Sequence, residues 1–386
     1  MTRILGLTGL LLCTATPVLA LEDGRIVIWT GANRDRQALE AAVQPFVEDY
    51  GIPVSVEVVD PDLAQKFQQA ASTGDGPDIL MWAHDRFGEW ASGGLIAPVQ
   101  PSAGWAEGIL GSAMEAMQFD NAIWGYPVSV EAVHLIYNTD LIDTPPASFD
   151  DLIAMEHDGA RILWDYTNAY FSMPLLMANG GYAFRKVDGS YDGTETGVNN
   201  AGAIEGARML RRLIDEGVMP TGVDYGIMEG AMNRGDVAMV LNGPWAWSTL
   251  AESGINFRVA PIPKVGDAVS TPFIGVQAMA LNAASPNRDL AVELLENYLL
   301  TDEGLAIWNA DGALGALADE SAAAAQDDAN IAAMLDIAAT GVPMPANAEM
   351  GAYWAAMQPA LTNIVTGAQD PEAALSDAAA RILGER

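Results

Sequence analysis

The chain has 386 residues, enough for about two or three domains at roughly 150 residues each. Half of them are hydrophobic and aromatics recur throughout, which excludes a disordered chain. A net charge of −33 repels phosphate backbones and anionic lipid, so nucleic acid and membrane surfaces are poor partners and no nucleic acid is expected.

The N-terminus has the three parts of a secretory signal peptide over residues 1–20. Arg3 supplies the positive charge, Ile4 to Leu12 the short apolar run, and Val18 and Ala20 the small residues before cleavage. This run, like every later one, is shorter than the roughly 20 apolar residues a membrane span needs. An exported, periplasmic protein is expected. The single cysteine, Cys13, lies inside this leader. It is either incidental there or a lipidation site, and Leu12, not a small residue, precedes it. The mature chain is then free of disulfide and thiol chemistry.

Strands and helices alternate from there on. Ile26 to Trp29 reads as a buried strand. Leu39, Val43, Phe46, Val47 and Tyr50 recur at helical spacing. Val54 to Val59 is a second strand, and Leu63, Phe67 and Ala70 or Ala71 mark a second helix. Thr73-Gly74-Asp75-Gly76-Pro77 is a turn before the strand Ile79 to Trp82. This order predicts a parallel sheet with helices on both faces, which binds ligands in loops beyond the carboxyl ends of its strands. The pattern resumes with strands at Ile162 to Trp164 and Val237 to Leu241, around a helix through Ala203, Ala207, Leu210 and Ile214. Ser285-Pro286 and Asp370-Pro371 read as helix starts, as does the alanine-rich stretch near Ser321 to Gln326. No flexible linker and no short repeat interrupts the chain. The organisation expected is therefore two αβ lobes joined by short crossing segments, with a cleft between them.

Several stretches together resemble the bacterial maltose/maltodextrin-binding proteins of ABC importers, in the extracellular solute-binding family 1. They are Thr73 to Ile79 running into Trp82-Ala83-His84-Asp85-Arg86-Phe87-Gly88; Glu131-Ala132 with Leu135-Ile136-Tyr137-Asn138; Gly180-Gly181-Tyr182-Ala183-Phe184; Asn242-Gly243-Pro244-Trp245-Ala246-Trp247; Asn282 to Asn287; and Glu296 to Leu305. They follow the family's order along nearly the whole mature chain. The resemblance implies an α/β type II periplasmic-binding fold, two doubly wound lobes that close on a ligand by a hinge. The lobes expected are residues 21–129 with 276–328, and residues 130–275 with 329–386. The crossings fall near Val130, Gly275 and Ala329. It also implies a non-enzymatic, monomeric protein that needs no cofactor or metal and delivers an oligosaccharide to the permease subunits of an ABC transporter.

Sugar hydroxyls need rigidly held donors and acceptors, and pyranose C–H faces pack on flat rings. Carried onto this sequence, the resemblance implies that Asp85 and Arg86 hold hydroxyls in the loop after the third strand, beside Trp82 and Ala83. On local grounds alone Asp85 and Arg86 read as a surface ion pair. Arg34 keeps the family's basic residue in the first-strand loop, and Glu131 is the acceptor at the first crossing. Tyr170, Trp245 and Trp354 match the stacking aromatics, while Tyr225 and Met344 match positions lining the cleft. Trp354 also shares a helical stripe with Met350, Met357, Leu361 and Ile364, so a core role stands beside the ligand role. Gly31, Asn33, Asp62, Ala64, Asn168, Ala355 and Gln358 replace polar or charged residues usual in the family. Maltose, maltodextrin, trehalose, sucrose or another glucoside therefore fit the pattern.

Two other classes stay open. Asp85 and Glu131 could be the carboxylate pair of a secreted glycosidase, and the acidic balance could serve a cation such as a polyamine or ferric ion. The histidines His84, His134 and His157 have no metal-ligand spacing. His84 reads as a structural hydrogen-bonder, and no nucleophile-elbow, Walker or dinucleotide motif is present.

Overall fold

A computed structural model describes residues 21–32, 34–155, 161–187, 190–310, 312 and 314–385. The leader with Cys13, and also Asn33 and His157, lie outside the described residues.

The first strand, β1 (Ile26–Thr30), is buried along its whole length. Its residues alternate between two cores. Ile26 and Ile28 join Leu39, Val43 and Phe46 of the helix Arg36–Tyr50. Val27 and Trp29 join Phe67 of the helix Leu63–Ala71. Helices on both faces explain why the strand reads as an unbroken apolar run. Asp35 caps the first helix by accepting from the backbone of Gln37 and Ala38, and Gly51 ends it in the left-handed region.

β1 pairs in parallel with β2 (Val54–Val58) and β3 (Ile79–Ala83), as the alternation predicts. Beyond β3 the sheet becomes mixed. The later strands are β4 (Tyr126–Ala132), β5 (His134–Asn138), β6 (Ile162–Leu163), β7 (Met239–Asn242), β8 (Phe257–Ala260), β9 (Phe273–Asn282) and β10 (Ala316–Leu317), and the order of the first sheet is β10-β4-β9-β3-β1-β2. β9 runs antiparallel to both β3 and β4. Local pattern carries no information on the direction of a strand arriving from so far along the chain. The short pieces Ile96–Ala97 and Val342–Pro343 also pair with β9.

A second sheet, ordered β8-β5-β7-β6, is likewise mixed. A separate core gathers around it, including Trp164, Leu175, Leu210, Leu241, Trp247, Met357 and Leu361. The chain changes sheet between Ala132 and His134, and changes back between Ala260 and Phe273. After β10, the helix Ala329–Ala338 packs on β8, and the helices Met350–Thr366 and Pro371–Ile382 pack on Ala201–Asp215. Among the described residues no helix is long and apolar enough to cross a membrane.

One expected helix start is corrected. Asn287, not Ser285, precedes the helix Arg288–Leu294. The Ser285 hydroxyl donates instead to the fully buried Asp78 carboxylate, at 2.5 Å, and accepts from the Asn287 backbone. Asp78 also takes the Val27 backbone N–H at 2.8 Å and the Asn287 amide at 3.0 Å. Asn287 in turn donates to the carbonyls of Glu22 and Arg25 and accepts from the Gly24 N–H. The motif thus ties the start of the folded chain to β9 and β3. Asp370 caps its helix with Pro371 in the first turn, as expected.

Candidate functional site

The carboxyl ends of β1 and β3 and the Gly275 end of β9 supply most of the polar groups. After β1 the chain turns to Arg34, which is 6% exposed. Its guanidinium meets Glu131 of β4 at 3.1 Å, with both side chains buried. The other Glu131 oxygen accepts the side-chain amide of Gln277 on β9 at 2.7 Å. Gly275 lies directly opposite Glu131 in the ladder. A Cβ on Gly275 would come within 3.3 Å of the Glu131 chain and the Tyr170 hydroxyl, and 3.4 Å of the Met344 methyl. Glu131, Tyr170 and Met344 therefore converge on the backbone of β9, and the missing side chain is what admits them.

After β3 the chain enters a short turn, His84–Arg86. The His84 ring is buried. Its Nδ1 accepts the Val276 N–H at 3.1 Å, so Nε2 carries the proton and donates to the Met344 carbonyl at 2.9 Å. Burial lowers its pKa to about 4. It is a neutral brace between β9 and the Met344 segment, as the sequence reading expects.

Asp85 beside it is 6% exposed. Burial pushes its carboxyl up to about 7, against the opposing pull of the Trp354 indole N–H and Arg86. That indole donates to Asp85 at 2.8 Å, joining the two ends of the chain across the site. Arg86 pairs with Glu89 at 3.1 Å. Asp85 and Arg86 are thus no simple surface pair, because each is held by a different partner.

The rings come from the other side. Asn168 caps the helix Ala169–Met177, accepting the Tyr170 N–H at 3.0 Å, so this family-variant residue serves the backbone. Tyr170 and Trp245 lie 6.1 Å apart between ring centres, tilted by 41°. Phe171 meets Trp245 at 6.3 Å and Tyr225 at 6.2 Å. The Tyr225 hydroxyl donates to Glu229. Trp245 sits in a turn after β7 with its ring folded over Gly243, where any Cβ would strike it at 2.2 Å. The Tyr170 hydroxyl is buried and has no hydrogen-bond partner among the described residues. Burial, then the charges of Glu131 and Asp85, hold its pKa well above the ordinary value.

The structure thus brings Arg34, Glu131, Tyr170, Met344, Tyr225 and Trp245 together, with Asp85 and Trp354 beside them. Ala83 is partly buried against the same core as Tyr170, Tyr225 and Trp354. Trp82, next along β3, packs with the Val27, Trp29, Phe67 and Trp90 cluster on the other side of the sheet. Trp354 takes the core role in the packing of its ring, edge-on against Phe273 and Tyr353, while its N–H points to the Asp85 carboxylate. Ala355 and Gln358, further along that helix, are exposed. Sequence reading missed Phe171, Gly275 and Gln277. Gln277 did carry a signal, as the lone polar side chain in the run Phe273 to Leu281.

No group of His, Cys, Asp or Glu among the described residues is placed to hold a metal ion. His134 donates through Nδ1 to the Ala132 carbonyl and accepts the Trp247 N–H at Nε2, and burial lowers its pKa to about 4.

The profile described as bacterial extracellular solute-binding protein matches residues 31–306. A galactooligosaccharide-binding protein of Bacillus subtilis is 27% identical over 383 residues, covering 94% of this chain and 90% of its own. A maltotriose-binding protein of Pyrococcus abyssi is 28% identical, covering 91% and 79%. A maltodextrin-binding protein of Bacillus subtilis is 23% identical, covering 96% and 92%.

Proposed function

The chain belongs to the bacterial extracellular solute-binding protein family, and from that premise we propose that it binds a neutral oligosaccharide and delivers it to an ABC importer. The ligand class is a maltodextrin or a related glucoside; two of the relatives are named for maltotriose and maltodextrin, and the third for galactooligosaccharides. The lobes are residues 21–129 with 276–328 and residues 130–275 with 329–386, and the ligand lies between them. The protein acts as a monomer in the periplasm after loss of residues 1–20.

One observation carries the reading. Tyr170, Phe171, Trp245 and Tyr225 form a ring wall, and Tyr170 at its edge feels the charges of Glu131, Asp85 and Arg34. Flat apolar faces beside fixed donors and acceptors are what a pyranose requires. Glu131 is paired with Arg34 and Glu89 with Arg86, and burial holds Asp85 partly protonated, so the site lacks the cluster of open carboxylates that a polyamine or metal ion needs. The named relatives are binding proteins, which disfavours the glycosidase reading.

The test is calorimetric titration with maltose, maltotriose, trehalose and sucrose, followed by analysis of the sugar recovered. Binding with the sugar intact is the expected outcome. No binding to any of the four, or release of monosaccharide, overturns the proposal.

A further inference from the structure

Glu131 is held more firmly than a ligand acceptor needs to be. A carboxylate offers about four lone-pair directions. The Arg34 guanidinium takes one on Oε2, and the Gln277 amide takes one on Oε1. With both contacts in place the carboxylate cannot rotate, and its remaining lone pairs point in fixed directions.

The ladder explains how Gln277 reaches it. Gln277 and Gly275 are two apart on β9, so they share a face, and their partners Ser129 and Glu131 share the same face of β4. The Gln277 side chain therefore runs diagonally across an empty Gly275 position to Glu131. Two hydroxyls border this patch. Ser129 is fully buried, and the Tyr170 hydroxyl is buried although its ring is partly exposed; neither hydroxyl has a partner among the described residues. Buried polar atoms left open at the edge of a fixed hydrogen-bonded cluster mark where another molecule completes the network.

Resting on the reading of the site proposed above, we infer that Gln277 is a positioning residue of the ligand site, which fixes the Glu131 carboxylate so that it and the Tyr170 hydroxyl engage one hydroxyl of the ligand. Gln277 acts through Glu131, and its effect depends on Glu131 being present. Arg34 alone leaves the carboxylate free to turn about a single contact, and the Gln277 amide removes that freedom before ligand arrives. Pre-fixed groups bind more tightly because less order is lost on binding.

The test is a double-mutant cycle on the full mature chain, with Gln277→Met, Glu131→Gln and the pair, titrated with maltotriose. Gln277→Met keeps the length and removes the donor. It is expected to weaken binding about 5- to 20-fold in the native background and less than twofold in the Glu131→Gln background. A merely structural role would weaken both backgrounds by the same factor, and that result overturns the inference. Undiminished affinity of Gln277→Met overturns it as well, while native binding leaves the sugar reading standing. A native protein that binds none of the four sugars removes the sugar reading and this inference together.

Discussion

The most informative perturbation is Asp85→Asn, which keeps the shape of the side chain and removes its charge. Burial raises the Asp85 pKa from 3.8 to about 7 in the folded chain. The folded state therefore holds this proton more tightly than the unfolded chain does. Stability from this group is complete at low pH and is lost as pH rises from about 4 through about 7. At about 1.36 kcal/mol per pH unit, the charge costs about 2 kcal/mol at pH 5 and about 4 kcal/mol at pH 8. The neutral amide escapes this cost and can still accept the Trp354 N–H. Urea unfolding of both proteins should show Asp85→Asn stabilised, and by about 2–3 kcal/mol more at pH 8 than at pH 5. Maltotriose affinity should move the other way, because the stronger acceptor is gone. Equal stability differences at the two pH values would refute the assignment of a raised pKa, and unchanged affinity would remove Asp85 from the ligand site. Stability sacrificed for a buried charge at a binding site is the expected trade.

Three further outcomes can be checked with the same assays. Trp245→Ala should weaken sugar binding by about 1–3 kcal/mol through loss of one ring face, and titration at native affinity would dismiss that role. Glu131→Ala removes one member of the buried Arg34–Glu131 pair, and should cost about 3–5 kcal/mol of stability in urea, whereas a loss below about 1 kcal/mol would mean that the pair contributes little to the fold. Asp78→Ala removes the acceptor for the Val27 N–H, the Ser285 hydroxyl and the Asn287 amide, each worth about 1–3 kcal/mol when left buried and unpaired. It should lower stability by at least about 3 kcal/mol without changing sugar affinity, and a comparable loss of affinity would count against a purely structural knot.

Local chemistry determined much of this protein before any folding. The unbroken apolar run of β1, the helical spacing after it and the glycine turn before β3 each depend on residues a few positions apart, so they are readable in order. The motif around Asp85 and the turn at Asn242 to Trp245 were legible in the same way. Tertiary structure decided what depends on residues brought from far apart. β9 inserts antiparallel between β3 and β4, and that placement alone sets Gly275 against Glu131 and carries Gln277 to its carboxylate. Ser285 looks like a helix cap until Asp78 claims its hydroxyl, and the bond from the Trp354 N–H to Asp85 was in no sequence pattern. A hydrogen bond is made by distance in space, and sequence spacing specifies that distance only within one helix, strand or turn.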